Sequence, residues 1–173
     1  MKDYEADIAC ARSYIGYGNA YFESIFDEFA RGMWDGVPCS EIACCFSYLA
    51  GNLNKILVSN YAQGLVDLYS NAGRFGHTPE LGAFIWFDYG DGNGPSHTGR
   101  VVDYDDYTVY TVEGNVGGIV QALSYPRDSY LIYGYGYPYY TDEEMPGPSP
   151  PGPQPGPDTD IFIYKNRKRR RKY

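Results

Sequence analysis

Residues 83–135 read AFIWFDYGDGNGPSHTGRVVDYDDYTVYTVEGNVGGIVQALSYPRDSYLIYGY. Ala83 to Phe87, Thr98 to Tyr104, Thr108 to Val112, Gly118 to Ser124 and Tyr130 to Tyr135 are short runs rich in β-branched and aromatic residues. The strings between them, DYGDGNGPS, DYDD, EGNVGG and YPRDS, are turn formers. Runs of this length and composition predict strands, and connections this short join antiparallel neighbours.

Upstream the period changes. Residues 3–15 and 20–31 space Ile8, Ile15, Phe22, Ile25, Phe26 and Phe29 as helical stripes, interrupted by the glycines of YIGYGN. Gly36-Val37-Pro38-Cys39 is a turn that opens a further helix from Ser40 to about Ala50. There Ile42, Cys45, Phe46 and Leu49 share a face, and Gly51-Asn52 marks the stop. Residues 60–71 repeat the pattern with Tyr61, Leu65, Leu68 and Tyr69. Helices first and strands after predict an α+β domain over residues 1–140, its helical layer packed on one face of the sheet. Residues 141–160 are proline-rich and acidic, which suits an extended linker, and 161–173 form a short basic tail.

All 22 acidic side chains precede residue 165, whereas Lys165, Arg167, Lys168, Arg169, Arg170, Arg171 and Lys172 hold half of the 14 Lys and Arg residues. An acidic body with a basic arm fits capture of a polyanion such as teichoic acid, anionic lipid or nucleic acid by the tail, or a merely solubilising end. The 20 tyrosines, several bunched between Tyr133 and Tyr140, supply amphipathic surface of the kind carbohydrate and wall-polymer binders use, or one wetted face of a sheet. The start lacks a basic and apolar leader, and no run of about eighteen apolar residues follows, so a cytosolic origin without Sec export or a membrane span is expected. In that compartment the four cysteines are thiols; without a CxxC pair, Cys10, Cys44 and Cys45 read as small core residues.

Cys39 stands apart because it precedes a helix, where unpaired N–H groups and the positive dipole end favour a thiolate. A thiol nucleophile needs a base, and the base needs a group that fixes its tautomer. His97, where the Gly-rich loop enters TGRVVDY, suits the base, and His77 reads as an exposed polar residue. Glu113 and Asn115, two apart at the end of TVYTVEGN, share a face if the strand persists and could both stand behind His97. The string DYGDGNG superficially matches a calcium loop. Aligning Asp91, Asn93 and Gly94 with its third, fifth and sixth positions puts Tyr89 at the first and Arg100 at the twelfth, where carboxylates are needed, so a glycine-rich hairpin is expected and no metal or cofactor is called for.

Cys39 at a helix start, His97 at a strand start and the triplet Glu113-Gly114-Asn115, in the strings PCSEIACCFSYLAG, TPELGAFIWFDYGDGNGPSHTGRVV and TVEGN with the closing YLIYGYGYPYY, resemble the CHAP family of cysteine, histidine-dependent amidohydrolases and peptidases. The likeness covers about residues 1–140, with Pro38 where members commonly carry Trp. It implies a papain-like fold and a monomeric phage or prophage lysin. Such an enzyme cleaves an amide bond of bacterial peptidoglycan, as an amidase or endopeptidase, and reaches the wall through a holin or with the virion. In that case Cys39 attacks, His97 is the base, Glu113 orients the ring and Asn115 supports it or polarises the substrate carbonyl. The backbone N–H of Cys39 is the natural oxyanion donor. The competing expectations are a noncatalytic wall-binding or structural domain of the same fold, and a cytosolic cysteine peptidase or deamidase.

Overall fold

The computed structural model describes residues 2–140 apart from 91 and 93. The expectations for the linker, the basic tail, Asp91 and Asn93 therefore lie outside the described residues. Within them the chain is α+β. Helices α1 (Asp3–Ser13), α2 (Ala20–Phe29), α3 (Cys39–Leu49) and α4 (Ala62–Asn71) precede strands β1 (Phe75–Gly76), β2 (Phe84–Phe87), β3 (His97–Tyr104), β4 (Thr108–Val116), β5 (Ile119–Pro126) and β6 (Ile132–Gly136). The strands form one antiparallel sheet in the order β1-β6-β2-β3-β4-β5. Two short pieces have no counterpart in the sequence reading. They are β1, whose two residues pair with β6, and a 3-10 turn at Leu53–Lys55; neither is long enough to show a period.

Buried apolar residues cluster on both faces of the sheet. On one, Phe22, Phe26, Ile42, Phe46 and Leu65 of the helices meet Phe84, Trp86, Val102, Val112 and Val120. On the other, Ile85, Phe87, Val101, Val109 and Tyr135 form a second cluster with Tyr125 and Tyr137 alongside. This explains the unbroken apolar string of β2, whose four residues are all buried, because a strand covered on both faces has no polar side to alternate with. Helix α3 is the central helix. Every residue from Cys39 to Ser47 is buried, and Ile42 packs so closely on β4 that a Cβ at Gly114 would fall 2.6 Å from its own.

A buried polar cluster fastens the helices to the sheet. Arg100 of β3 is 2% exposed and lays its guanidinium over the Phe84 ring, 4.2 Å from the centroid. It donates to Asp7 Oδ2 of α1 at 2.8 Å, to Ser47 Oγ of α3 at 2.9 Å and to the Tyr140 hydroxyl. Asn52 donates to Asp7 Oδ1 at 2.5 Å, and Tyr140 also donates to Asp7 Oδ2 at 2.7 Å. The bunched tyrosines thus divide their work. Tyr135 and Tyr139 are buried and Tyr140 joins this cluster, while Tyr133 is exposed. Cys44 and Cys45 are core residues as expected, but Cys10 is only half-buried. Among the described residues no helix is long and apolar enough to cross a membrane.

Asp7→Ala leaves the Arg100 guanidinium buried without its counter-charge. A loss of about 3–5 kcal/mol in urea unfolding is expected, the usual cost of removing one partner from a buried pair. A loss below about 1 kcal/mol, the range of a surface pair, would show that the network does not depend on this pair.

Candidate active site

The site is assembled by contacts that the sheet and α3 make next to each of its members. Cys39 is the first residue of α3 and 4% exposed. Its neighbour Ser40 forms a hydrogen bond with Thr98, Oγ to Oγ1, at 3.1 Å, which docks the start of the helix on the start of β3. Thr98 and His97 are adjacent, so this contact sets the thiol beside the imidazole. The carbonyl of Ser96 lies 4.0 Å from Cys39 Sγ.

On the other side of the ring, His97 Nε2 is 2.7 Å from Glu113 Oε2. The carboxylate is fully buried and the imidazole 13% exposed. Because Nε2 is taken by Glu113, the remaining ring nitrogen, Nδ1, is the one left for the thiol. Gly99 and Glu113 are cross-strand partners, and a Cβ at Gly99 would lie 2.5 Å from Glu113 Cγ. The carboxylate therefore reaches His97 by crossing the bare backbone of a glycine, the usual meaning of Gly inside a strand. Thr111 Oγ1 donates to Glu113 Oε1 at 2.5 Å, and Tyr125 donates a longer bond, 3.4 Å, to Oε2.

Aromatic rings close the site. Phe87 and Tyr89 sit 5.8 and 6.2 Å from the His97 ring, and Tyr125 packs on Phe87 at 4.7 Å. Burial alone would pull the imidazole down. The hydrogen bonds and negative charges of Cys39 and Glu113 outweigh it and hold His97 up at about 9 against an ordinary 6.5. The imidazolium is thus the favoured form at neutral pH. Burial pushes the thiols of Cys10, Cys44 and Cys45 up, so they resist ionisation.

Two expectations meet different geometry. Strand β4 does persist through Asn115, but its register against β5 shifts between Glu113 and Val116, and Asn115 has a left-handed φ of 62°. Its Oδ1 accepts from Asn19 Nδ2 at 2.6 Å, which ties the segment before α2 to the β4–β5 hairpin. The Cys39 amide is also occupied, donating to Val37 O at 3.0 Å across Pro38. His77 is exposed at the end of β1, with its ring on Phe75. Among the described residues no cluster of His, Cys, Asp and Glu is arranged to hold a metal ion. Sequence reasoning passed over Gly99, although a glycine inside HTGRVV signals a close approach. It also passed over Thr111, which alternation places on the face of Glu113.

No protein-family model and no curated protein matches the chain. A solved structure does. The crystal structure of Ly7917 superimposes with a TM-score of 0.52 over 80% of this chain and 63% of that one, at 16% identity. At that identity the likeness is one of fold. The present chain spans less than two thirds of its neighbour.

Glu113→Gln removes the negative charge behind the ring, and Gly99→Ala is expected to dislodge the same carboxylate sterically. In both, the His97 titration followed by NMR should move down from about 9 toward 6.5. The sign for stability follows. The imidazolium's contribution is complete below about 6.5 and is lost as pH rises through about 9, so both variants should flatten that alkaline loss. An unmoved His97 titration in Gly99→Ala would show that this glycine does not seat Glu113.

Proposed function

We propose that the chain is a cysteine-dependent amide hydrolase of the papain-like, CHAP type, acting on bacterial peptidoglycan. The observation that carries the hydrolase reading is a single line of groups in which Cys39 at a helix start, His97 and the buried Glu113 follow one another, with Glu113 2.7 Å from the imidazole. The substrate class rests on the resemblance of the strings around these residues to that family.

In this mechanism Nδ1 of His97 takes the proton of the Cys39 thiol, and Glu113 holds the imidazolium by its Nε2–H. The thiolate attacks the amide carbonyl carbon and its electron pair moves to oxygen. As the tetrahedral intermediate collapses, His97 gives its proton to the departing amine, leaving a thioester on Cys39. Water, deprotonated by His97, attacks the thioester; the acid departs and the proton returns to sulfur. The Cys39 N–H serves as oxyanion donor once it gives up, or shares, its bond to Val37 O. Asn115 contributes by fixing the β4–β5 turn through Asn19. The basic tail, Lys165 to Lys172, would add attraction to wall polyanions, with release by salt. In this reading the protein would reach the wall by holin release or with the virion.

Purified peptidoglycan digested by wild type and by Cys39→Ala in parallel, and read by mass spectrometry, tests the reading. Wild type should release new fragments, whose masses separate amidase from endopeptidase cleavage, and Cys39→Ala should lose at least ~10³-fold of the rate. Absence of fragments from either, across several wall types, would favour a noncatalytic wall-binding domain.

A further inference from the structure

The first turn of α3 buries a second ionisable group. Glu41, two residues after Cys39, has no solvent exposure. Its Oε1 accepts from the Asp35 amide at 3.3 Å, and its Oε2 has no hydrogen-bond partner. Among the described residues no cation forms an ion pair with it. Asp35 in turn accepts from the Val37 amide at 2.8 Å through its own Oδ1, and Val37 O holds the Cys39 amide. A continuous run of hydrogen bonds therefore leads from the Glu41 carboxyl, through the 35–38 turn, to the backbone of the nucleophile.

We propose that Glu41 is a positioning residue, which pins the 35–38 turn to the first turn of α3 and so sets the place of the Cys39 sulfur and amide. The catalytic part of this inference rests on the hydrolase reading above. Glu41 acts as the neutral acid. A second buried anion at this helix start would compete with the Cys39 thiolate for the same dipole end and the same few donors. The charged or titratable groups that bear on it are Asp35 from the turn and Cys44 and Cys45 from its own helix, none of them positive. Burial, reinforced by the Asp35 charge, accordingly pushes the carboxyl up to about 8 despite its backbone hydrogen bonds. Glutamine has the same shape and no charge, so it should replace this acid, whereas alanine cannot.

The test compares the full chain with Glu41→Gln and Glu41→Ala. On peptidoglycan, Glu41→Gln should keep kcat within about threefold and fall off at higher pH than wild type. Glu41→Ala should lose at least about tenfold in kcat with little change in KM. Alkylation of Cys39 by iodoacetamide, located by peptide mass spectrometry, reads the same positioning without a wall substrate. Its rate should change several-fold in Glu41→Ala and stay near wild type in Glu41→Gln. Thermal melting against pH reads the protonation. The neutral acid's contribution is complete below about 4.5 and lost as pH rises through about 8, so the melting temperature of wild type should fall relative to Glu41→Gln across that window. A glutamine variant as impaired as alanine, an alanine variant equal to wild type in both kcat and alkylation, or parallel melting curves would each overturn the proposal. If no Cys39-dependent turnover is found for wild type, the hydrolase reading fails, and the alkylation and melting results still decide whether Glu41 positions Cys39.

Discussion

Arg100 brings a guanidinium into a dry layer between α1, α3 and β3, and Asp7 supplies the opposite charge there. Burying a charge is tolerable only when it is paired. Here the pair is completed by Ser47 and Asn52, from the end of α3 and the turn after it, and by Tyr140, from far along the chain. The geometry that results is restrictive. Helix α3 must lie along β3 with Ser47 opposite Arg100, and one end of the helix therefore falls beside His97. An apolar contact of the same area would tolerate sliding. Hydrogen bonds from a planar cation do not.

The Cys39 end of α3 inherits this register and refines it. Ser40 meets Thr98, Ile42 meets Gly114, and Glu113 passes over Gly99. Ser40, Thr98, Gly114 and Gly99 each adjoin or oppose a member of the Cys39, His97 and Glu113 line, so the side chains that would do chemistry are placed by neighbours that do none. The ring wall of Phe87, Tyr89 and Tyr125 keeps the His97–Glu113 contact mostly dry, and a dry contact has a stronger hold on the imidazolium than a wetted one.

The four helices were legible from periodicity, and five of the six strands from β-rich runs bounded by turn formers. Helix α3 starts at Cys39 rather than Ser40, a difference of one residue. The nearness of Cys39, His97 and Glu113 was legible from residue chemistry and order, since each stands at the boundary of an element. The place of Asn115 was not. A two-residue spacing puts side chains on one face only while the ladder is regular, and the register shift after Glu113 sends this amide to Asn19. Nor could spacing reveal that the Cys39 amide is engaged by Val37, or that Glu41 is buried without a counter-charge. Both follow from how the 35–38 turn folds back on the helix.

The Tyr140 hydroxyl has a practical meaning for anyone dividing this chain. It is the last described residue, and it is bonded to Asp7 near the other end of the domain and to the Gly82 carbonyl. A fragment ended one residue earlier would lose a hydrogen-bonding group from the charged centre of the protein rather than a loose end. A cut that leaves this network intact therefore falls after Tyr140.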